Sequence, residues 1–418
     1  MLFEDLSQSA SSLWSPIPGG ITTPSGFQAS GIKAGLKSSD NLDLALLLAP
    51  EDSVCAGTFT KSLVRAACVD LCIDRLRANA GSVRAVLINS GQANACTGER
   101  GWIDSVRATD AVAQQLGLDS EKVLICSTGV IGEFIPLEKL IAGLEPLVDQ
   151  LSTNGGLVAA KAILTTDLVE KQIAFEAYLG GRRVRIGGMA KGSGMIHPDL
   201  ATMLGYISCD VGVPPDLWKD MITRVSECSF NSITVDGDTS TNDTFLAFSA
   251  GSWLENDYLN ALEAGLNQAA QYLAKAIARD GEGANCLLEV RVMGTETNND
   301  ARQIARTVCS SSLVKTAVHG CDPNWGRIIA ALGRSGISFL QKDVELFIGP
   351  YQLIRLGEPL KFDRNTVSIY MHERKKGAYL TDDSISILLK VGNGKGDAMT
   401  WGCDLSDQYV RINADYTT

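Results

Sequence analysis

Histidine is nearly missing from this sequence: of 418 residues only His197, His319 and His372 carry an imidazole, and they lie far apart. A metal site or a Ser-His-Asp triad needs imidazoles gathered beside other ligands, so surface or structural roles are the simpler reading and no metal is expected. No run approaches the roughly 20 apolar residues that cross a bilayer. The opening MLFEDLSQSASSLW also lacks the basic segment and long apolar stretch of an export signal. Positive charge is short too, 37 Lys and Arg against 48 Asp and Glu, and the net of -11 disfavours nucleic acid or an anionic membrane as partner. Phosphate loops are absent: GMAKGSGM and GNGKGD mix lysine with glycine, but neither is G-x-x-x-x-G-K-[ST], and no G-x-G-x-x-G opens a helix after a strand. No internal period repeats convincingly, which excludes a solenoid.

What is present describes an ordinary globular chain, 45% hydrophobic and 20% charged, with enough length for two domains or one large layered unit with a lobe attached. Its eleven cysteines are odd in number and mostly in apolar surroundings, so they read as reduced thiols of a cytosolic protein. Cys68 and Cys72 have helical spacing but no second ligand pair follows, which makes them core residues.

Helical and strand signals alternate along the chain, which predicts an α/β class. The run NLDLALLLAP (41–50) is too continuously apolar for an exposed strand and predicts one buried on both faces. Strands are predicted over 83–89, 122–126, 244–249, 287–294, 344–348, 367–370 and 384–389, and a pair around Gly180-Gly181. Helices are predicted over 61–79, with Val64, Ala67, Cys68 and Leu71 on one stripe, and over 105–116, 136–151, 217–228, 258–280 and 298–314. Residues 187–198 (GGMAKGSGMIHP) crowd glycine against the apolar run LATMLGYISCD. Glycine there permits a strained or closely approached backbone.

With histidine scarce, a catalyst needs another base. A threonine at a new N-terminus carries one, since its α-amine, of pKa about 8, lies within reach of its own hydroxyl. Thr202 stands inside an apolar run directly after those glycines and suits that part; a threonine bonded to backbone at a buried strand end fits the segment equally well. Ser127, Thr128 and Gly129 end a strand, so the Thr128 hydroxyl and Gly129 amide could meet one oxyanion, although a plain strand-ending turn accounts for them too. Lys191 could take the carboxylate of an amino acid and Glu282 its ammonium, each otherwise a solvated charge. The loop DGDTSTNDT (236–244) is too weak a signal to assign.

At this point KGSGMI followed by ATML, NSITVDGDTSTNDT, GCDPNWGRI and the ending WGCDLSDQYVRINADYTT resemble the glutamate N-acetyltransferase, or ornithine acetyltransferase, family. GGITTPSGFQASGIKAGLK, NSGQANACTG and STGVIG agree in the same order, so the resemblance covers essentially the whole chain. It implies a layered αββα-type sandwich, similar to but topologically distinct from N-terminal-nucleophile hydrolases, with an additional C-terminal α/β lobe. It implies self-cleavage between Ala201 and Thr202, giving an α chain of 1–201 and a β chain of 202–418 that pair into a heterotetramer of two each. Thr202 matches the nucleophile, and Thr128 and Gly129 the oxyanion pair. Substrate contacts match Thr165, Lys191, Thr202, Glu282, Asn413 and Thr418. The implied reaction carries acetyl from N2-acetyl-L-ornithine to L-glutamate in arginine biosynthesis, without a cofactor. Some relatives also draw acetyl from acetyl-CoA, and no residue here decides that second activity. The rival readings are a self-processed aminopeptidase or amidase, in which water takes the acyl group, and a non-enzymatic small-molecule-binding protein.

Overall fold

The computed structural model describes residues 13–197 and 203–414. Ala201, Thr202 and Thr418 therefore lie outside the described residues. The first part of the chain forms ten strands, β1 (Ser15–Ile17), β2 (Gln28–Ile32), β3 (Leu44–Leu48), β4 (Val54–Phe59), β5 (Ala85–Gln92), β6 (Val123–Val130), β7 (Lys171–Leu179), β8 (Arg182–Lys191), β9 (Leu204–Cys209) and β10 (Thr244–Ser249). They divide into a six-stranded sheet, ordered β1-β7-β8-β9-β10-β4, and a four-stranded sheet, ordered β2-β3-β5-β6. β9 with β10 and β5 with β6 run parallel, while the other neighbours are antiparallel.

The alternation of side chains along a strand explains how these sheets stack. In β3, Ala45 and Leu47 point toward the six-stranded sheet, while Leu44 and Leu46 point the opposite way, toward helices. β10 does the same in reverse, with Leu246 and Phe248 turned inward against the four-stranded sheet and Phe245 and Ala247 turned outward. Both faces of both sheets are thus covered, which is why these strands read as unbroken apolar runs. Phe27 meets Phe248 edge-on between the layers, ring centroids 6.3 Å apart. Helices Pro215–Glu227 and Leu259–Arg279 cover the outer face of the larger sheet through Trp218, Ile222, Leu266 and Leu273. Helices Ala67–Ala78 and Gly98–Leu116 cover the smaller one through Val69, Leu71, Ala108 and Val112. The result is helix, sheet, sheet, helix, as the resemblance implies.

The C-terminal lobe is a third sheet, ordered β14-β13-β12-β15-β11-β16, from β11 (Leu287–Thr295), β12 (Glu345–Ile348), β13 (Tyr351–Arg355), β14 (Glu358–Pro359), β15 (Ser384–Lys390) and β16 (Gly396–Cys403). Its core is separate, built from Val290, Val292, Leu346, Ile387 and the helices Asn298–Cys309 and Arg364–Lys375 among others. Nine of the eleven cysteines are buried and all are free thiols, Cys68 and Cys72 among the packed ones. No helix of the described residues is long and apolar enough to cross a membrane.

Several predicted elements need correction. The helix expected over 61–79 begins only at Ala67, because the Ser62 hydroxyl bonds the Val64 amide and carbonyl and turns the chain there, leaving Val64 exposed. The helix expected over 136–151 splits into Leu137–Ala142 and Leu144–Asp149, since Pro146 has no amide to offer Ala142. The one over 298–314 breaks where Ser311 caps a new helix, Ser312–His319, by accepting from the Val314 amide. Residues 367–370 are helix, not strand: Asp363 caps Arg364–Lys375 by accepting from the Asn365 amide, and Val367 and Met371 form its buried stripe.

Candidate active site

The C-terminal end of β6 in one sheet and the C-terminal end of β8 in the other lie close enough for the Lys191 ammonium to donate to the Thr128 hydroxyl, Nζ to Oγ1 3.2 Å. β6 itself runs four residues past the end expected from sequence, to Val130, and remains paired, Gly129 opposite Gly91. That pairing demands glycine: at φ +134° a Cβ on Gly129 would sit 2.2 Å from the Gly91 carbonyl. A cavity of about 290 Å³ opens beside this junction.

Six residues singled out from the sequence line it: Thr128, Gly129, Thr165, Lys191, Glu282 and Asn413. They come from five separated stretches of chain, and nothing in their spacing forces them together. Thr202, Ala201 and Thr418 cannot be placed, lying outside the described residues; Met203, however, directly follows Thr202 and opens onto β9. The loop left unassigned by sequence contributes Ser240, Thr241 and Asn242 to the same cavity. Asn242 explains why: its side-chain amide donates to the Ser127 carbonyl at 2.8 Å, tying this loop of the larger sheet onto β6 of the smaller. Three polar residues between apolar strands were the available signal, but only the packing distinguishes them from turn caps.

Electrostatics of the cavity floor follow from buried charge. Lys191 is 2% exposed, and burial lowers its pKa while Asp167, at 3.9 Å, opposes the shift. Burial alone would raise the Asp167 carboxyl; the ammonium groups of Lys171 and Lys191 overcome it and hold it well below the usual carboxylate range. Asp167 also accepts from the Gly192 amide at 2.7 Å, which fixes the start of the glycine segment. Lys171 is fully enclosed between Asp167 at 2.7 Å and Asp280 at 2.6 Å. Two lysines and two aspartates balance formally, so this floor tolerates burial without leaving an unpaired charge.

Glu282 stands on the same cavity as an anion. Its backbone amide donates to the Ser193 carbonyl at 2.9 Å, and its carboxylate accepts from the Asn413 side chain at 2.8 Å. Gly194 must be glycine beside it, for a Cβ there would lie 2.5 Å from the carboxyl carbon. The strain expected among the glycines falls on Met195, a non-glycine at φ 56°, held in place because Asp236 accepts from the Met195 amide at 2.6 Å and from the Ile196 amide at 2.9 Å. His197 bonds the Thr234 hydroxyl at 3.1 Å. His319 bonds Asp404 at 2.8 Å, away from the cavity lining. Among the described residues no group of three or more His, Cys, Asp or Glu could hold a metal ion.

A cavity of this size, with one buried ammonium and one carboxylate on its walls, matches a zwitterionic amino acid in charge. A lysine ammonium has only hydrogens to offer, so the Thr128 hydroxyl accepts from it and keeps its own hydrogen for a ligand oxygen.

The ArgJ family model matches residues 28–418. The arginine biosynthesis bifunctional protein ArgJ of Prochlorococcus marinus strain MIT 9313 is 68% identical over 413 residues, covering 99% of this chain and 97% of that protein. The protein of the same name from strain NATL2A is 66% identical over 414 residues, 99% of each. Among solved structures, the ornithine acetyltransferase of Mycobacterium tuberculosis complexed with ornithine is 41% identical, with a TM-score of 0.42, and covers 44% of this chain and 98% of its own.

Proposed function

The chain belongs to the ArgJ family, and from that premise we propose that Thr202 carries the acetyl group that this enzyme moves from N2-acetyl-L-ornithine to L-glutamate in arginine biosynthesis. The precursor cuts itself between Ala201 and Thr202 into chains 1–201 and 202–418, and the two pair into a heterotetramer. The amine exposed by that cut takes the proton of its own hydroxyl, and Oγ attacks the acetyl carbonyl. Thr128 and Gly129 donate to the oxyanion. The C–N bond of acetylornithine then breaks, the ornithine nitrogen leaves with the proton, and acetyl remains as an ester on Thr202. Glutamate enters with a neutral α-amine, attacks the ester, and departs as N-acetylglutamate, restoring the hydroxyl.

The observation that carries this reading is the meeting of Thr128, Gly129, Thr165, Lys191, Glu282 and Asn413 on one cavity. Lys191 holds the α-carboxylate common to donor and acceptor, with Thr165 and, as the resemblance suggests, Thr418 as further contacts. Glu282, oriented by Asn413, serves the cationic end. The curated relatives are called bifunctional, which supports a second activity, and acetyl-CoA is the donor we assign to it. Free thiols throughout support the cytosol as its compartment.

Intact-mass analysis tests the core of the reading. The native protein is expected as two chains, the second beginning at Thr202, and Thr202→Ala as one uncut chain; a native protein that stays whole after maturation refutes it. Acetylornithine assayed with and without glutamate separates transfer from hydrolysis, because acetate release at the full rate without glutamate would identify an amidase.

A further inference from the structure

Lys37 ends the stretch GGITTPSGFQASGIKAGLK, and the site as described leaves it without a task. It lies half-buried in the loop between β2 and β3, behind the cavity rather than on its lining. That loop is fixed by Asp43, which is wholly buried and whose carboxylate accepts from the Ala34 and Leu36 amides at 2.6 Å each and from the Lys37 amide at 3.1 Å. Three hydrogen bonds to one buried carboxylate hold the backbone here, so the reach of the Lys37 side chain is set by the fold, unlike that of a free surface lysine.

Both ends of that side chain meet the cavity walls from behind. The stem crosses Gly91, where at φ +131° a Cβ would lie 3.3 Å from Lys37 Cγ, and Gly91 is the residue paired with Gly129. The ammonium donates to the Leu164 carbonyl at 2.5 Å and to the Leu42 carbonyl at 3.2 Å. Leu164 directly precedes Thr165, so one lysine joins the strand behind the oxyanion pair to the segment that carries Thr165. Both acceptors are uncharged, and the Gly91 end of β5 brings no charge either. The charges that Lys37 feels are Asp43 on its own loop, Asp167 just after Thr165, and Lys191 on β8. Burial lowers its pKa to about 8, Lys191 pushes the same way, and Asp43 and Asp167 oppose them. Two ammonium groups, Lys37 and Lys191, thus repel each other at the end of the cavity that suits a carboxylate, and a bound carboxylate offsets that repulsion.

We propose that Lys37 is a positioning residue for the substrate carboxylate: it holds Leu164, and with it Thr165, against the strand that backs Gly129, and its charge adds to that of Lys191 without touching a substrate atom. The inference rests on the reading in which Lys191 takes the α-carboxylate. Substrate and proton are then linked. The carboxylate binds best while Lys37 is charged, below pH about 8, and affinity falls as pH rises through that value toward the level set by Lys191 alone. A neutral amine can still donate to two carbonyls, so deprotonation removes the charge and leaves the brace in place.

Two variants test this: Lys37→Met keeps a stem over Gly91 without the charge, and Lys37→Arg keeps the charge at every working pH. The readouts are the Kd of L-ornithine by calorimetry from pH 7 to pH 9 and the kinetics with N2-acetyl-L-ornithine, whose α-nitrogen is an amide and does not titrate. Ornithine's own amines titrate alike against every variant and cancel when proteins are compared at one pH. Beside Lys37→Arg, the native protein should bind ornithine equally at pH 7 and about fivefold more weakly at pH 9, as a group of pKa about 8 gives when its charge contributes about tenfold. Lys37→Met should bind about tenfold more weakly than Lys37→Arg at both pH values, with KM following Kd and kcat within about threefold. A merely structural lysine would leave Lys37→Met less heat-stable but with the native affinity and pH dependence, and that outcome overturns the proposal. A fall in kcat with Kd unchanged overturns it as well. Ornithine binding needs no nucleophile, so the result stands apart from the role of Thr202. Lys191→Met is the control for the cavity: if it binds ornithine as the native protein does, the carboxylate reading itself fails, whereas Lys37 variants that match the native protein beside a weakened Lys191→Met overturn this inference alone.

Discussion

Thr128→Val offers the most direct examination of the cavity chemistry, because it deletes one hydroxyl and changes little else. Thr128 is 2% exposed and its Oγ1 accepts from Lys191 at 3.2 Å, so its own hydrogen is available to the acetyl oxygen as charge develops there. A preorganised oxyanion donor of this kind contributes about a hundredfold to a thousandfold in kcat, or roughly 3 to 4 kcal/mol. The Gly129 amide is untouched by the substitution, so activity should fall by about that factor rather than vanish. KM for acetylornithine and glutamate should stay within about threefold, since the donor acts on the transition state rather than on bound substrate. Loss of the Lys191 contact should also lower stability by about 1 to 3 kcal/mol, a cost expected when a charged group loses a hydrogen bond. The assay is steady-state acetyl transfer on protein whose cleavage has been checked by mass, beside Thr128→Ser, which restores the hydroxyl and should recover most of the rate. A kcat within threefold of native, or a rise in KM alone, would refute the assignment of the hydroxyl to the oxyanion.

Two further perturbations probe the walls and the floor. Gly194→Ala brings a methyl to 2.5 Å from the Glu282 carboxyl carbon and must displace it, so KM should rise by about tenfold with a smaller change in kcat; unchanged KM would remove Glu282 from substrate binding. Asp167 is held below its unfolded pKa of about 3.9, so its contribution is present above that pH and is lost as pH falls through the lower folded value. Asp167→Asn leaves Lys171 and Lys191 short of counter-charge and should cost about 3 to 5 kcal/mol at pH 7. It should also flatten the loss of stability between about pH 5 and pH 2. Urea unfolding at both ends of that window measures both effects, and equal slopes for the two proteins would show that Asp167 is not the group titrating.

The strands that build the two stacked sheets were legible because a chain segment covered on both faces must be apolar at every position, as 41–50 is. Helices were legible as stripes, but their ends were not. A cap depends on one hydroxyl or carboxylate reaching one amide, which is why Asp363 turned an expected strand at 367–370 into helix and Ser311 broke another helix. The same locality hid three strands of the third sheet: β13 and β14, short strands that follow β12 in a meander, and β16, whose partner β11 is distant in sequence.

For the site, the sequence by itself determined the chemistry available: no cluster of histidines, a hydroxyl next to a glycine segment, and motifs ordered as in one family. Which of those groups meet was decided by tertiary structure alone. Lys191 reaches Thr128 across 63 residues, and Asn413 reaches Glu282 across 131, because two sheets stack and the helix Asp407–Ala414 packs against the turn at Gly283. Asp243 shows the division most clearly. In the sequence it is one acid among several in a polar loop; only the register of β8, β9 and β10 sets its carboxyl against the Met203 amide. Side-chain type is written locally, whereas the burial that raises or lowers a pKa and the partner that satisfies it belong to the packing of remote segments.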